Sequence, residues 1–342
     1  MNEYKEIIEK LEEIPCLALC RSWDGTEGSL KQMKRQLITR DDAAKETAKE
    51  ALETGMPACK REGDAWEMAE PFFPKERLII LGGGHVALPV AEFAARTGFL
   101  VTVVDDRLSF ANPGRFPMAE QVICDEFAHA IETLEIQETD YVVIVTRGHR
   151  HDGLCLRAIG RGKEPAYLGM IGSRRRVGFV KEELLAEGYD AGRLSRLKSP
   201  IGLKIGAVTP EEIAISILAE VIEVKRLSRE DKRVKNCSDL DFDVLRTLAG
   251  ETEVPKAVVT VISSHGSSPR GAGAKMIVYR DGRIAGSIGG GCSEAAVLSE
   301  ARLMIGTGRF KVVHIDMTAE AAEEEGMVCG GVMDALIEDY EI

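Results

Sequence analysis

The chain is predicted to be α/β, a doubly wound parallel sheet beside a smaller α+β domain with a mostly antiparallel sheet. Three observations predict it. Between residues 76 and 226, short Val/Ile/Leu-rich runs alternate with segments of helical periodicity, the pattern of a parallel sheet covered on both faces. A charged stretch near residues 225–241, poor in apolar residues, then breaks the pattern. After it, several short apolar runs are punctuated by Arg280-Asp281-Gly282, a hairpin signal that fits antiparallel strands.

Taken in order, residues 1–75 open with a charged helical stretch over 3–13. An apolar run at 16–20 follows, then an amphipathic helix over 42–53 stopped by Gly55. Residues 41–55 echo residues 294–308 in alanine spacing and in a terminal Thr-Gly, so residues 1–75 read as a degenerate partial copy of the C-terminal domain. Residues 76–228 form the dinucleotide-type domain, with strands expected at 77–81, 100–104, 141–145 and 166–171. Its helices are expected at 86–96, 152–160, 174–186 and 210–226. Residues 229–241 are the charged linker. Residues 242–342 form the second domain, with helices expected at 241–249 and 293–305. Strands are expected there at 257–263, 275–279, 283–287, 311–316 and 332–340.

At 342 residues the chain is long enough for two cores. Its formal charge of -12 and pI near 5.2 argue against a nucleic-acid or membrane-surface partner. The first residues lack a signal-peptide profile and no apolar run reaches a membrane span, so a cytoplasmic protein is expected. The 8 cysteines contain no CxxC pair and are expected as free thiols. Cys124 and Cys155 read as small buried apolar groups.

Gly82-x-Gly84-x-x-Ala87 closes an apolar strand and opens a helix, the setting of a Rossmann-like dinucleotide fingerprint. The glycines admit a pyrophosphate to the helix N-terminus, with His85 at the same crevice. Asp105 ends the next strand, where an acid binds a ribose hydroxyl and favours NAD over NADP; Arg107 qualifies that preference. The loop at 146–152 brings His149, His151 and Asp152 beyond a strand end. There they would relay protons, hold a metal or line the crevice, or else Asp152 would cap the following helix and leave the histidines solvated. Ser173 and Arg174 open another helix, either as a phosphate grip or as a cap and an exposed basic turn.

Gly289-Gly290-Gly291-Cys292 lies between a strand and a helix, and Cys329-Gly330-Gly331 precedes the final strand. A thiol near a helix N-terminus is biased towards thiolate. Such turns also offer backbone donors to a many-oxygened anion, with Arg270 and Lys275 adding charge. A dehydrogenase has no need of this second site.

Together these motifs resemble the XdhC/CoxI family, accessory factors of xanthine dehydrogenase and related molybdenum hydroxylases. One half of the resemblance runs through GGGHVA, Val104-Asp105-Asp106-Arg107, residues 146–152 and Leu168-Gly169-Met170-Ile171-Gly172-Ser173-Arg174. The other half runs through Gly266-Ser267-Ser268-Pro269-Arg270, Gly286-Ser287-Ile288-Gly289-Gly290-Gly291-Cys292 and Cys329-Gly330-Gly331. The order of the two domains is reversed from the family's usual one.

The resemblance implies a chaperone-like protein, rather than an independent enzyme, that receives molybdenum cofactor (molybdopterin). It would support installation of the sulfido ligand by a cysteine desulfurase and deliver the cofactor to an apo molybdenum hydroxylase, as a homodimer. It makes Arg270, Gly290, Gly291, Cys292, Cys329 and Gly330 the candidate cofactor contacts, with Cys292 and Cys329 nearest molybdenum or sulfur. The residues alone leave open two other readings, an NAD(P)-dependent oxidoreductase using His149, His151 and Asp152, and a nucleotide-sensing module without catalysis.

Overall fold

The computed structural model describes residues 2–227, 236–250, 254–266, 268, 270–316 and 331–340. Two compact units emerge, one joining residues 1–74 with 233–342 and the other taking residues 75–232.

The first unit begins with α1 (Glu3–Lys10), β1 (Leu17–Asp24), β2 (Glu27–Ser29), β3 (Lys34–Thr39), α2 (Glu46–Thr54), β4 (Ala58–Glu62) and β5 (Ala65–Phe72). Asn2 caps α1 through its side chain, and Gly55 ends α2 in the left-handed region at φ 71°, where glycine carries no Cβ penalty. Four of these strands make an antiparallel sheet in the order β3-β1-β5-β4.

The second unit holds β6 (Arg77–Leu81), α3 (Ala87–Arg96), β7 (Leu100–Asp105), β8 (Gln121–Cys124), α4 (Phe127–Leu134), β9 (Tyr141–Ile144) and α5 (His149–Gly160). It continues through β10 (Tyr167–Met170), α6 (Arg174–Ala186), α7 (Ala191–Arg196) and α8 (Pro210–Leu227). Its five strands are all parallel, in the order β10-β9-β6-β7-β8. Leu78, Ile79, Ile80 and Leu81 are all buried because both faces of β6 are covered. One face packs on α3 and α8 through Val90, Ala94 and Ile217, and the other on α4, α5 and α6 through Ile131, Leu156 and Val180. This is the doubly wound sheet expected from the alternating runs.

The chain then re-enters the first unit with α9 (Phe242–Ala249), β11 (Lys256–Gly266), β12 (Lys275–Tyr279), β13 (Ile284–Gly286), α10 (Gly291–Met304), β14 (Arg309–Asp316) and β15 (Gly331–Tyr340). These strands form a second antiparallel sheet, β13-β12-β11-β15-β14-β2, whose last strand comes from the N-terminal segment. The β12–β13 turn passes through Gly282 at φ 90°, as the Asp-Gly signal predicted.

Two expectations need correction. Cys124 is exposed rather than buried, because β8 is a short strand at the sheet edge; Cys155 is buried as expected. Lys275, on β12, is fully buried, and its ammonium is engaged by Glu70 and the Thr260 hydroxyl instead of adding free charge to the glycine-rich loop.

Candidate functional site

In the second unit, strand order reverses between β6 and β9, so the loops leaving these neighbours open on one crevice. The approach is close. A Cβ on Gly82, at φ 114°, would lie 2.5 Å from the Val145 carbonyl oxygen, and one on Gly83 would lie 2.2 Å from the Phe110 oxygen. Gly84 faces open space, His85 is exposed in the turn, and Ala87 is the buried first residue of α3. No side chain caps the start of α3. Its N-terminal N–H groups therefore remain suited to an anion.

Asp105 is placed where a ribose-binding acid belongs, but its carboxylate is already engaged. It accepts from Gly83 N at 2.8 Å, from Arg107 N at 3.0 Å and from Arg107 Nε at 2.8 Å, and is 1% exposed. Arg107 lies across the Phe110 ring, 3.7 Å from its centroid. Arg115 donates to the carbonyls of Gly83 and Gly84 at 3.1 and 3.3 Å, a brace that no sequence motif announced. Across the crevice mouth, Arg147 forks onto Asp106 and holds that carboxyl down to about 2.

The 146–152 loop is shorter than the sequence suggests. Gly148 is the N-cap of α5, so His149, His151 and Asp152 belong to its first turn. Asp152 does not cap that helix. Fully buried, it joins the Thr146 hydroxyl to the Arg176 guanidinium and so ties the end of β9 to the start of α6. Burial raises its carboxyl pKa against the opposing pull of Thr146 and Arg176. His149 is exposed, and His151 packs edge-on against Phe127 at 5.7 Å. Among the described residues no group of His, Cys, Asp or Glu could hold a metal ion.

Ser173 caps α6 by accepting from Arg176 N at 3.3 Å, while Arg174 is exposed. Ser173→Ala is expected to lower the unfolding free energy of this unit by about 1 kcal/mol, measured by urea denaturation, and to leave nucleotide affinity unchanged.

In the first unit, Gly289, Gly290 and Gly291 take φ values of 135°, 71° and 58°, a backbone open chiefly to glycine. They lead into α10, whose first turn contains Cys292. The loop N–H groups converge on an acid that the sequence motifs did not single out. Glu294 Oε1 accepts from Ser287 Oγ at 2.6 Å, Ile288 N at 3.1 Å and Gly290 N at 3.0 Å. A carboxylate oxygen held by two backbone donors and a hydroxyl has the form of an anion cradle.

Arg270 turns to Asp239, donating to its carboxylate and carbonyl at 2.8 Å each. Cys329 and Gly330 lie outside the described residues. Among those described, no helix is long and apolar enough to cross a membrane.

Residues 78–221 match the XdhC Rossmann domain, and residues 250–316 match the XdhC and CoxI family, together more than half of the chain. A 153-residue stretch, 44% of this chain, is 36% identical to 28% of the uncharacterized protein YqeB of Escherichia coli (strain K12). Over 153 residues, 45% of this chain is 35% identical to 44% of a Bacillus subtilis (strain 168) protein named as a probable xanthine dehydrogenase subunit. A further 74 residues, 22% of each chain, are 41% identical to the molybdenum cofactor insertion chaperone PaoD of Escherichia coli (strain K12). The matched stretches span less than half the length of each of these relatives.

Proposed function

The chain belongs to the XdhC and CoxI family, and from that membership we propose that it is an accessory factor of a xanthine dehydrogenase-type molybdenum hydroxylase. In this reading it holds molybdenum cofactor at the loop before α10 while a cysteine desulfurase supplies sulfur, and then passes the cofactor to the apo-hydroxylase in the cytoplasm. The relatives whose names speak of xanthine dehydrogenase and of molybdenum cofactor insertion support it.

The observation that carries the reading is the cradle around Glu294 Oε1. Its donors fit a phosphate oxygen as well as a carboxylate, and the adjoining helix start places Cys292 beside them in the chain. When bound, the cofactor supplies a thiophilic metal and a phosphate. Ser287, Ile288 and Gly290 would grip the phosphate, while Cys292 and Cys329 would contact metal or sulfur. Gly291 and Gly330 would keep the backbone close, and Arg270 would join by exchanging Asp239 for the ligand.

The nucleotide, NAD or NADP, would place its pyrophosphate at Gly84 and the start of α3. There it would regulate or brace rather than react. The sealed position of Asp152 takes one of the three acid/base groups of the oxidoreductase reading out of substrate's reach and leaves that reading to the exposed His149.

Anaerobic titration of molybdopterin cofactor tests the proposal. The intact chain is expected to bind it, and a Cys292→Ser, Cys329→Ser double variant about tenfold more weakly. No binding by either would discard the carrier role. Nicotinamide turnover that is lost in His149→Ala would put the oxidoreductase in its place.

A further inference from the structure

We infer that residues 2–72 are a second copy of the fold built by residues 241–340, lacking its glycine–cysteine loops, and that this copy fills, within one chain, the face through which the cysteine-bearing domain would pair with its like. The inference stands apart from the cofactor reading.

With the three-residue strands β2 and β13 set aside, both segments run helix, strand, strand, helix, strand, strand. An eight-residue helix opens each, α1 capped by Asn2 and α9 by Asp241. The sheet order β3-β1-β5-β4 repeats as β12-β11-β15-β14, antiparallel throughout.

The strand registers align the copies residue by residue. Leu17 faces Phe72 and Thr39 as Lys256 faces Tyr340 and Tyr279. From that correspondence, Ala18 answers to Ala257, Cys20 to Val259, Ile38 to Val278 and Ala69 to Ile337; each residue is buried in its own copy's core. Continued through β4 and β14, it sets Ala48, Ala51 and Leu52 of α2 against Ala301, Met304 and Ile305, again all buried. The same spacing aligns Thr54-Gly55 with Thr307-Gly308, both glycines at positive φ, 71° and 65°. This is the echo visible in the sequence.

The copies stack through the sheet faces turned away from α2 and α10. Leu19 and Phe72 meet Val258 and Ile277 there, and Trp23 and Met68 meet Ile262 and Leu336. Among the described residues three ion pairs cross this face, Arg35 with Glu338 at 2.8 Å, Lys275 with Glu70 at 2.8 Å and Arg21 with Glu338 at 3.7 Å, and the first two are reciprocal. By the same registers Arg35 is the counterpart of Lys275, and Glu70 of Glu338. Reciprocal contact of this kind, residue i with j′ and i′ with j, marks a two-fold interface. It also makes the face self-complementary, because two cysteine-bearing domains stacked alike would pair Lys275 of each with Glu338 of the other.

Two stretches of the C-terminal copy have no counterpart in the first. One contains β13 and Gly289 to Cys292, and the other joins β14 to β15 and contains Cys329 and Gly330, where β4 and β5 are joined by Gly63 and Asp64 alone. The pair thus carries one set of cysteine loops, and a two-fold partner is supplied without a second protomer.

The test uses the full chain with a protease site inserted between Pro74 and Lys75. After cleavage, native mass spectrometry at micromolar concentration should find the 1–74 piece still bound one-to-one to the remainder. In Glu70→Lys, which sets a lysine against Lys275, the piece should leave and the remainder should pair with itself. In Glu70→Lys, Lys275→Glu the reversed pair should bring the piece back, and self-pairing should be at least tenfold weaker, since the new carboxylate at position 275 would also face Glu338 of a second copy. Spontaneous loss of the piece from the parent chain would overturn the inference. So would a Glu70→Lys remainder that is single or unfolded, or self-pairing that survives Lys275→Glu.

Discussion

Glu70→Ala is expected to destabilise the first unit by about 3–5 kcal/mol, the cost of stranding buried charge. Glu70 is fully buried and holds Arg21 at 3.1 Å and Lys275 at 2.8 Å, both of which are also buried. Its removal leaves two cations facing each other in an apolar sandwich. Arg21 keeps weaker ties to Glu3 at 3.6 Å and Glu338 at 3.7 Å, while Lys275 keeps only the Thr260 hydroxyl at 2.9 Å among the hydrogen bonds described. Urea denaturation followed by tryptophan fluorescence isolates this unit. The chain's 2 tryptophans, Trp23 and Trp66, stack within it at 5.9 Å. The paired change Glu70→Met, Lys275→Met should recover most of the loss, because apolar replacement of a whole buried pair is often nearly neutral. A loss below about 1 kcal/mol for Glu70→Ala would mean that water reaches the network.

The same network sets an acid limit. Burial works to raise the Glu338 carboxyl pKa, but Arg21, Arg35 and Lys275 outweigh it and hold the group below its ordinary value of 4.5. Its pKa is therefore lower folded than unfolded, so its contribution is present above the unfolded value and is lost as pH falls through the folded one. The tryptophan-reported stability should drop on acidification below about 4.5, and Glu338→Gln should flatten that drop.

Those buried charges also explain what could be read from the sequence. The parallel sheet was legible because β6, β7 and β9 are nearly pure Val, Ile and Leu, covered on both faces. In the N-terminal segment, Arg21 interrupts β1, and Glu70 and Pro71 interrupt β5. Charges buried against a partner sheet break the apolar alternation on which a strand is recognised, so that half of the unit was hidden. The glycine loops were visible as motifs because positive φ leaves few residue choices. The occupants of their donors were not, since Arg107, Arg115 and Glu294 reach them through turns that no local pattern fixes.

Glu294→Ala is expected to tighten binding of molybdopterin cofactor by ten- to a hundredfold if the loop before α10 takes its phosphate. In the folded chain Glu294 Oε1 occupies that loop through Ser287 Oγ, Ile288 N and Gly290 N, so an incoming phosphate must break contacts to a charged acceptor. Hydrogen bonds to a charged group contribute about 1.5–3 kcal/mol each. Relief from one such contact corresponds to roughly tenfold or more in affinity. Glu294→Gln should fall between, because the amide oxygen still accepts but carries no charge. Inorganic phosphate provides a control, and its affinity should rise in the same order. The side chain would then act as a resident competitor, keeping the donors satisfied until a ligand with more oxygens arrives. Unchanged affinity in both variants would place the cofactor elsewhere and leave Glu294 as a brace for the start of α10.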